Sequence, residues 1–369
     1  MRGIRQVLLG AVALGAVVVG DLHDAAGYTN GTPDSIASLG NSITRAFNVD
    51  NSHLFDNPQY SWSTGSDASV QSHYFRILQS NPNVNLKNFN YAVSGAKMTQ
   101  LNGQAANVNA TPGGVEYVTI EMGGNDVCTT SEATMTEVAT YRAQFQSAMD
   151  TLTIGFPIRR IFVASVPDVF HLWEILHTNT SAVGFWNAAN ICQSMLANPT
   201  SMMQADVDRR ARVRQRNIDF NTQLAEVCAL YPQCAFDNNA VFNSQFTVSD
   251  VSTVDFFHPS LTGQANLAAG TWAVYDVDDD GWSSGSEGTI GTDALDNCAD
   301  HTTDSAWPAD INNDGVSDIT DIDALAAEFG NQAPPAPIRY DIAPDMLDQV
   351  VDITDIDRLA GLFGLSCLA

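Results

Sequence analysis

Asp255 and His258 lie three residues apart on one predicted loop, and residues of these types can activate a serine. A serine hydroxyl is a weak nucleophile until a base takes its proton. A histidine whose tautomer is fixed by a carboxylate does this near neutral pH. An isolated Asp-x-x-His pattern is common by chance. Its meaning therefore depends on a nucleophile elsewhere in the chain.

Ser42 is the candidate nucleophile. It follows a short strand predicted over residues 36–39 and the turn residue Gly40, at the point where a helix can begin. Glycine permits a sharp turn there, so the serine hydroxyl can point out of the sheet. Taken alone, a turn serine that caps a helix is the more common explanation. Only partner residues can favour the nucleophile.

Acyl transfer also requires hydrogen-bond donors for the oxyanion of the tetrahedral intermediate. Three candidates follow predicted strands: the backbone N–H of Ser42, the backbone N–H of Gly95 and the side-chain amide of Asn125. Glycine lets the backbone approach a ligand closely, and asparagine donates without carrying a charge. An ordinary turn is the alternative explanation of the Gly-Gly-Asn-Asp sequence around Asn125.

The elements that must position these residues alternate along the chain. Strands are predicted over residues 36–39, 85–91, 115–122 and 160–166, each ends in a loop of small residues, and helical patterns separate them. This order predicts an α/β fold with a mostly parallel sheet flanked by helices. Ligands bind beyond the carboxyl ends of the strands in such sheets. Ser42, Gly95 and Asn125 are all predicted at that edge.

Four sequence blocks, taken together, resemble the SGNH/GDSL serine hydrolases. They are Gly-Asn-Ser-Ile at Ser42, Asn-Tyr-Ala-Val-Ser-Gly at Gly95, Gly-Gly-Asn-Asp at Asn125 and Asp-x-x-His at His258. The resemblance spans about residues 33–272, and within the family the chain looks like secreted bacterial lipases and esterases and the related phospholipase B-like branch. It implies a three-layer α/β/α fold with Ser42 as nucleophile, Gly95 and Asn125 as oxyanion donors, Asp255 as acid and His258 as base.

This resemblance implies a serine esterase that acts on lipid or other acyl esters without a catalytic metal. A carbohydrate acetylesterase with the same machinery is the alternative, and an inert calcium-dependent adhesion protein is a third. The chain departs from the family at Asn41, where an aspartate is usual, and mildly at Ile43. Bulky apolar residues over 170–195 suit either a wall for an acyl chain or core helices.

Charge and hydropathy divide the chain into parts. Its net charge is −26, and residues 273–369 hold 21 of the 42 acidic residues but only two of the 16 basic ones. Such a surface excludes nucleic acid as a partner. A basic start and an apolar run too short to cross a bilayer predict a signal peptide over residues 1–26. We therefore expect a secreted protein with no transmembrane span in its mature form.

An even number of cysteines in an exported chain suggests disulfides. By region we expect three pairs, and these are Cys128 with Cys192, Cys228 with Cys234, and Cys298 with Cys367. The predicted domains are a hydrolase over 27–273, a calcium loop with linker over 274–308 and a repeat pair over 309–369.

The acidic segment 276–287 fits a twelve-position calcium loop, with oxygens at positions 1, 3 and 5, glycine at position 6 and glutamate at position 12. It resembles bacterial thrombospondin type 3 repeats. Its candidate ligands are Asp276, Asp278, Asp280, Trp282 through its carbonyl, and Glu287. A solvated acidic linker is the alternative for the whole tail.

A second loop resembles the EF-hand-like calcium loop and helix of type I dockerins, which implies a cohesin-like protein partner. Its candidate ligands are Asp310, Asn312, Asp314, Val316 through its carbonyl, Asp318 and Asp321. The sequence repeats at an offset of 34 residues, which places Pro344, Met346 and Gln349 at the positions of Asp310, Asn312 and Gly315. From these substitutions we expect weak or absent calcium binding in the second copy.

Overall fold

The computed structural model describes residues 32–49, 55–154, 156, 159–299, 301, 303–345 and 347–367. The predicted signal peptide, residues 1–26, lies outside the described residues.

Five parallel strands form the central sheet in the order β2-β1-β3-β4-β5. They are β1 Ile36–Gly40, β2 Asn88–Asn90, β3 Tyr117–Glu121, β4 Arg160–Ala164 and β5 Cys234–Phe236. The predicted parallel α/β sheet is confirmed. The fifth strand has only three residues and lies at the sheet edge, so its sequence carries too short a pattern to predict it.

The part of the chain that the structure describes contains thirteen α-helices, which lie around the sheet and continue into the tail. They are α1 His73–Ser80, α2 Leu101–Asn109, α3 Gly124–Val127, α4 Val138–Thr153, α5 Val169–Leu176, α6 Thr180–Ala189, α7 Gln193–Leu196, α8 Gln204–Cys228, α9 Ala240–Asn243, α10 Leu261–Ala273, α11 Ser284–Ile290, α12 Ile319–Ala326 and α13 Ile353–Gly361. None of the helices described is long and apolar enough to cross a membrane.

Side chains of the strands alternate between the two faces of the sheet and create two hydrophobic layers. On β1, Ala37 and Leu39 join the layer under α2, α4 and α8. Ile36 points to the opposite layer, under α1 and α10. Strand residues buried on both faces are typical of parallel sheets. The result is the three-layer α/β/α arrangement of SGNH hydrolases.

The tail begins inside the second of these layers. Tyr275 and Val277, just after α10, are buried there, and the ring of Tyr275 stacks on Tyr117 at 4.9 Å. A separate hydrophobic core then forms around Trp282, Leu325 and Leu359, among other residues. The chain therefore enters the acidic 276–287 loop directly from the hydrolase core.

Three disulfides have the predicted pairing: Cys128–Cys192, Cys228–Cys234 and Cys298–Cys367. The last closes the C-terminal module on itself, because it joins the linker before the repeats to the end of the chain.

Candidate active site

The turn after β1 fixes the position of Ser42. Gly40 has φ +151°, and a Cβ there would lie 2.4 Å from the carbonyl oxygen of Glu121 on the neighbouring strand. Only glycine fits this approach. The side chain of Asn41 accepts the N–H of Ile43 at 2.8 Å, which closes the turn. Ser42 thus leaves the sheet at its carboxyl edge, where the parallel fold predicts ligands to bind.

Ser42, His258 and Asp255 form one continuous hydrogen-bonded chain. His258 Nε2 lies 2.8 Å from Ser42 Oγ, and His258 Nδ1 lies 2.6 Å from Asp255 Oδ2. Serine and histidine are 216 residues apart in sequence, so the fold brings them together. The geometry suits removal of the serine proton by the imidazole.

Asp255 is buried but held in its charged form. Its Oδ1 accepts the backbone N–H groups of Phe257 and His258, and its Oδ2 also accepts Asn48 Nδ2 at 2.5 Å. Burial alone raises the pKa of Asp255, but the hydrogen bond and charge of His258 and these other donors outweigh it, so the pKa lies below its ordinary value. A carboxylate so held can fix the histidine tautomer.

The loop between Asp255 and His258 contains an uncommon backbone conformation that a hydrogen bond supports. Phe256 has φ +55°, an uncommon conformation for a residue with a side chain. Trp186 Nε1 donates to the Phe256 carbonyl at 3.0 Å. Sequence reasoning found neither Trp186 nor Asn48 as a supporting residue. Both contacts span long sequence distances, and no local pattern announces them.

The three predicted oxyanion donors lie at the same edge. Val93 donates to the Gly40 carbonyl at 3.1 Å, so the segment leading to Gly95 runs beside the turn that carries Ser42. Among the described residues, no hydrogen-bond acceptor faces the backbone N–H of Ser42 or of Gly95. Asn125 Nδ2 donates one hydrogen to the Ala96 carbonyl at 3.0 Å, which orients the amide and leaves a second hydrogen.

An apolar cavity of about 300 Å³ adjoins this edge. Ser42 and Asn125 lie in its wall, and the remainder is mostly apolar. Its apolar lining includes Val166, Val169, Leu172, Val241, Phe246, Val251, Phe257 and Leu267. Gly95 is not part of that lining.

The apolar segment 170–195 contributes both to the cavity lining and to the hydrophobic core. Leu172, on α5, lines the cavity. Trp173 and Trp186 are buried in the hydrophobic layer instead. One face of α5 thus forms the wall while the rest of the segment supports it.

Glu121, the last residue of β3, is a fully buried carboxyl group beside the turn that carries Ser42. Neither of its oxygens has a well-formed hydrogen bond among the described residues, and the same holds for Asn41 Nδ2. Burial raises the pKa of Glu121 to about 8, and the nearby Asn41 amide opposes the rise. An aspartate in place of Asn41 would put a second carboxylate here, so the neutral amide fits this surrounding.

We predict that Glu121→Gln changes the pH dependence of stability. Between pH 4.5 and about 8 the carboxyl ionises in the unfolded chain but stays protonated in the folded one. The folded state then binds more protons, so the free energy of unfolding falls as pH rises, by roughly 1.4 kcal/mol per pH unit. Glutamine removes this slope, and urea unfolding at several pH values measures it.

Glu137→Gln is the matched control, because the Glu137 side chain is 77% exposed. It should leave the slope as in the wild type. Equal slopes for Glu121→Gln and the wild type would contradict the prediction.

The 276–287 loop gathers acidic side chains at the start of the tail. Ligand oxygens of Asp276, Asp278 and Asp280 lie within 4.8 Å of one another. Both oxygens of Asp278, Oδ2 of Asp280 and Oε2 of Glu287 are buried without a hydrogen-bond partner in the described chain. Buried carboxylates at this density repel each other unless a cation lies between them. These residues fit a calcium ion, and Trp282 lies at the position whose carbonyl would complete the loop.

The 310–321 loop has the matching backbone geometry. Asp310 Oδ2 accepts the N–H of Gly315 at 2.7 Å, as Asp276 Oδ2 accepts that of Gly281 at 3.0 Å. Buried Asp321 closes the loop through its hydrogen bonds to the Ile311 and Asn312 N–H groups. The other candidate calcium ligands, which include Asp314, Val316 and Asp318, lie along the same loop.

This fold, together with the site at its carboxyl edge, defines a hydrolase of the SGNH class. A family model described as GDSL-like Lipase/Acylhydrolase matches residues 36–301, more than half of the chain. The chain therefore belongs to this family and is a carboxylic ester hydrolase. No curated protein matches it.

Several solved structures are similar to the chain at low identity. An extracellular lipase from Streptomyces rimosus is 18% identical, with 62% of this chain and 94% of the lipase covered and a TM-score of 0.36. A family 3 carbohydrate esterase from Clostridium thermocellum is 15% identical, with coverages of 66% and 95% and a TM-score of 0.40. An acetylxylan esterase from Geobacillus stearothermophilus is 14% identical, with coverages of 67% and 94% and a TM-score of 0.38.

Proposed function

We propose that the protein hydrolyses carboxylic esters with an acyl chain of several carbons, through an acyl-enzyme on Ser42. His258 takes the proton of Ser42 as the oxygen attacks the ester carbonyl, and Asp255 stabilises the resulting imidazolium. The N–H groups of Ser42 and Gly95 and the amide of Asn125 stabilise the oxyanion. His258 then protonates the leaving alcohol and activates the water that releases the acid.

The apolar cavity beside Ser42 is the observation that supports an extended acyl chain. Its volume of about 300 Å³ exceeds what an acetyl group needs, and burial of methylene groups there contributes about 0.8 kcal/mol each. Gly263, Leu267 and Gly270 of α10 line it at helical spacing. Seven residues of helix correspond to about 10 Å, so the cavity extends that far along α10.

Gly270→Leu tests this proposal. Gly270 is part of the cavity lining, and a Cβ there meets no atom within 4 Å, so a leucine fits without a clash and is expected to narrow the cavity. We expect kcat/KM for p-nitrophenyl octanoate to fall at least tenfold, while that for the acetate ester changes little. The measurement is a series of p-nitrophenyl esters from acetate to palmitate, compared between the variant and the wild type.

Gly103→Leu is the matched control. Gly103 is an exposed glycine of α2 with the same open surroundings, and it does not line the cavity. It should leave the chain-length profile unchanged. The proposal would be contradicted if the wild type prefers acetate, or if the Gly270→Leu variant has the same chain-length profile as the wild type.

A carbohydrate acetylesterase attached to a polysaccharide-degrading assembly is the second candidate. The observation that favours it is a duplicated apolar surface on the tail: Ile319 and Ile353 are 54% and 53% exposed, and Phe329 and Phe363 are 54% and 55% exposed. Such side chains suit a protein partner of the cohesin type. Calorimetry of the full protein with a cohesin module, and activity on acetylated xylan, test this candidate.

Secretion and calcium binding complete the proposal. Three disulfides suit an oxidising compartment, which supports export through the signal-like residues 1–26. Structural calcium is proposed in the 276–287 and 310–321 loops, where the acidic side chains offer the hard oxygen ligands that calcium prefers. None of the proposed catalytic steps requires it.

A further inference from the structure

The first of the two tail repeats shows how its loop is held. Asp321 Oδ1 accepts the N–H groups of Ile311 and Asn312 at 2.8 and 3.1 Å, and its Oδ2 accepts the N–H of Asp318 at 2.8 Å. The two residues that donate to Oδ1 directly follow Asp310, the first acidic residue of the loop. These bonds identify the first and last positions of the loop from structure alone.

The second repeat has the same three hydrogen bonds. Asp355 Oδ1 accepts the N–H groups of Ile342 and Ala343 at 2.7 and 2.8 Å, and its Oδ2 accepts that of Asp352 at 2.8 Å. The residue just before these two donors is Asp341. By structure, Asp341 therefore occupies the place that Asp310 has in the first repeat.

A fourth contact supports this correspondence. The N–H of Gly315 donates to Asp310 Oδ2 at 2.7 Å, and the N–H of Gln349 donates to Asp341 Oδ2 at 2.8 Å. Both donor residues have positive φ, +91° for Gly315 and +66° for Gln349. The constant sequence offset placed Pro344 opposite Asp310, because it did not allow for three additional residues in the second loop.

The other candidate oxygen ligands of the first loop have counterparts in the second loop. Asp348 Oδ1 accepts the N–H of Val350 at 3.0 Å, as Asp314 Oδ1 accepts that of Val316 at 3.1 Å. The Val350 carbonyl thus matches the backbone ligand of the first loop. Of the side-chain ligand positions in the first loop, only that of Asn312 has no oxygen-bearing counterpart in the second loop, where Ala343 lies.

Asp341 itself provides the independent sign of a ligand. Its side chain is fully buried, and its Oδ1 has no hydrogen-bond partner among the described residues. The negative charges of Asp355 and Asp348 act on it. An unpaired carboxylate oxygen buried beside other carboxylates is costly unless a cation neutralises it.

We infer that the second repeat binds a calcium ion of its own. Asp341, not Pro344, is its ligand at the position that Asp310 has in the first loop. Asp348, the Val350 carbonyl, Asp352 and Asp355 provide the remaining protein oxygens, and water completes the coordination. An all-oxygen, mostly anionic set of this kind selects a hard cation, and calcium tolerates an irregular arrangement that magnesium does not.

Calcium stoichiometry of the full-length protein tests this inference. After chelation and dialysis against a known free calcium concentration, bound metal per chain is measured by atomic emission for the wild type and for Asp341→Asn. We expect Asp341→Asn to bind one equivalent less than the wild type. Asp310→Asn should show the same loss from the first repeat, and Asp341→Asn with Asp310→Asn should lose two equivalents.

Asp357→Asn is the matched control, since Asp357 is exposed on α13 and the change in charge is the same. It should bind as much calcium as the wild type. Asp348→Asn repeats the test at an exposed ligand, whose replacement leaves the buried core unchanged; circular dichroism checks the fold of each variant. Unchanged stoichiometry in folded Asp341→Asn or Asp348→Asn protein would overturn the inference.

Discussion

Ser42→Ala is expected to lower kcat/KM for p-nitrophenyl octanoate by roughly four orders of magnitude or more. The variant keeps the fold, because Ser42 contributes one small, largely buried side chain at a turn held by Gly40 and Asn41. It loses the only oxygen that lies 2.8 Å from His258 Nε2 in the described chain. Oxyanion donors and the cavity remain, so some activity above the uncatalysed rate is retained.

Two measurements accompany this variant. Mass spectrometry of the wild type, quenched during turnover, should find the acyl group on the peptide that contains Ser42, and the variant should carry none. Ser94→Ala is the control, since Ser94 lies near the same edge but its hydroxyl donates to Asp56. We expect its kcat/KM within tenfold of the wild type. Activity of Ser42→Ala comparable to that of Ser94→Ala would contradict the assignment of the nucleophile.

The candidate catalytic residues could be selected from sequence because each belongs to a short local pattern. Asp255 and His258 share one loop, and Ser42 and Asn125 each follow a strand whose apolar pattern marks its end. Sequence order then restricts which patterns belong together. The parallel sheet does the rest, because it brings the carboxyl ends of distant strands to one edge.

Supporting residues were not predictable in the same way. The hydrogen bond from Asn48 to Asp255 spans 207 residues, and Asn48 belongs to no local pattern that would indicate it. Glu121 is a similar case. An isolated glutamate in an apolar strand pattern gives no indication that it will be fully buried next to Asn41. These contacts depend on packing, which periodicity does not encode.

The tail shows a different limit. A constant repeat offset aligned the helices α12 and α13 correctly but placed Pro344 opposite Asp310, because an insertion inside a loop leaves the flanking pattern intact. Backbone hydrogen bonds instead identify Asp341. Loops tolerate such insertions at small cost in free energy. Which residues of two loops occupy the same position must therefore be determined from the structure.

Calcium removal is the second change with a large expected effect. A chelator should expose residues 276–367 to protease, because the buried carboxylates of Asp278 and Glu287 would then lack a counter-charge. A ligand present at about 1,000 times its dissociation constant stabilises the folded state by about 4 kcal/mol, and chelation removes this contribution. Limited proteolysis and differential scanning calorimetry, with and without chelator, measure the loss.

The structure also predicts that the effect reaches the hydrolase core without abolishing activity. Arg160, at the start of β4, binds Asp279 at 2.8 Å and donates to the Val277 carbonyl at 2.9 Å. Unfolding of the loop removes these contacts, which lie at the amino-terminal end of the sheet, opposite the edge that carries Ser42. We therefore expect a lower melting temperature for the core, while ester hydrolysis below that temperature stays within a few-fold.

Asp278→Asn separates the 276–287 loop from the other acidic residues of the tail. It should reproduce the effect of the chelator on protease sensitivity after residue 276, since Asp278 is buried among the candidate ligands. Asp323→Asn, an exposed position on α12, removes the same charge and should behave as the wild type. An unchanged cleavage pattern after chelation, together with wild-type melting of Asp278→Asn, would mean that these carboxylates are stabilised without a cation. The proposed calcium in this loop would then be wrong, whereas the assignment of Ser42 would be unaffected.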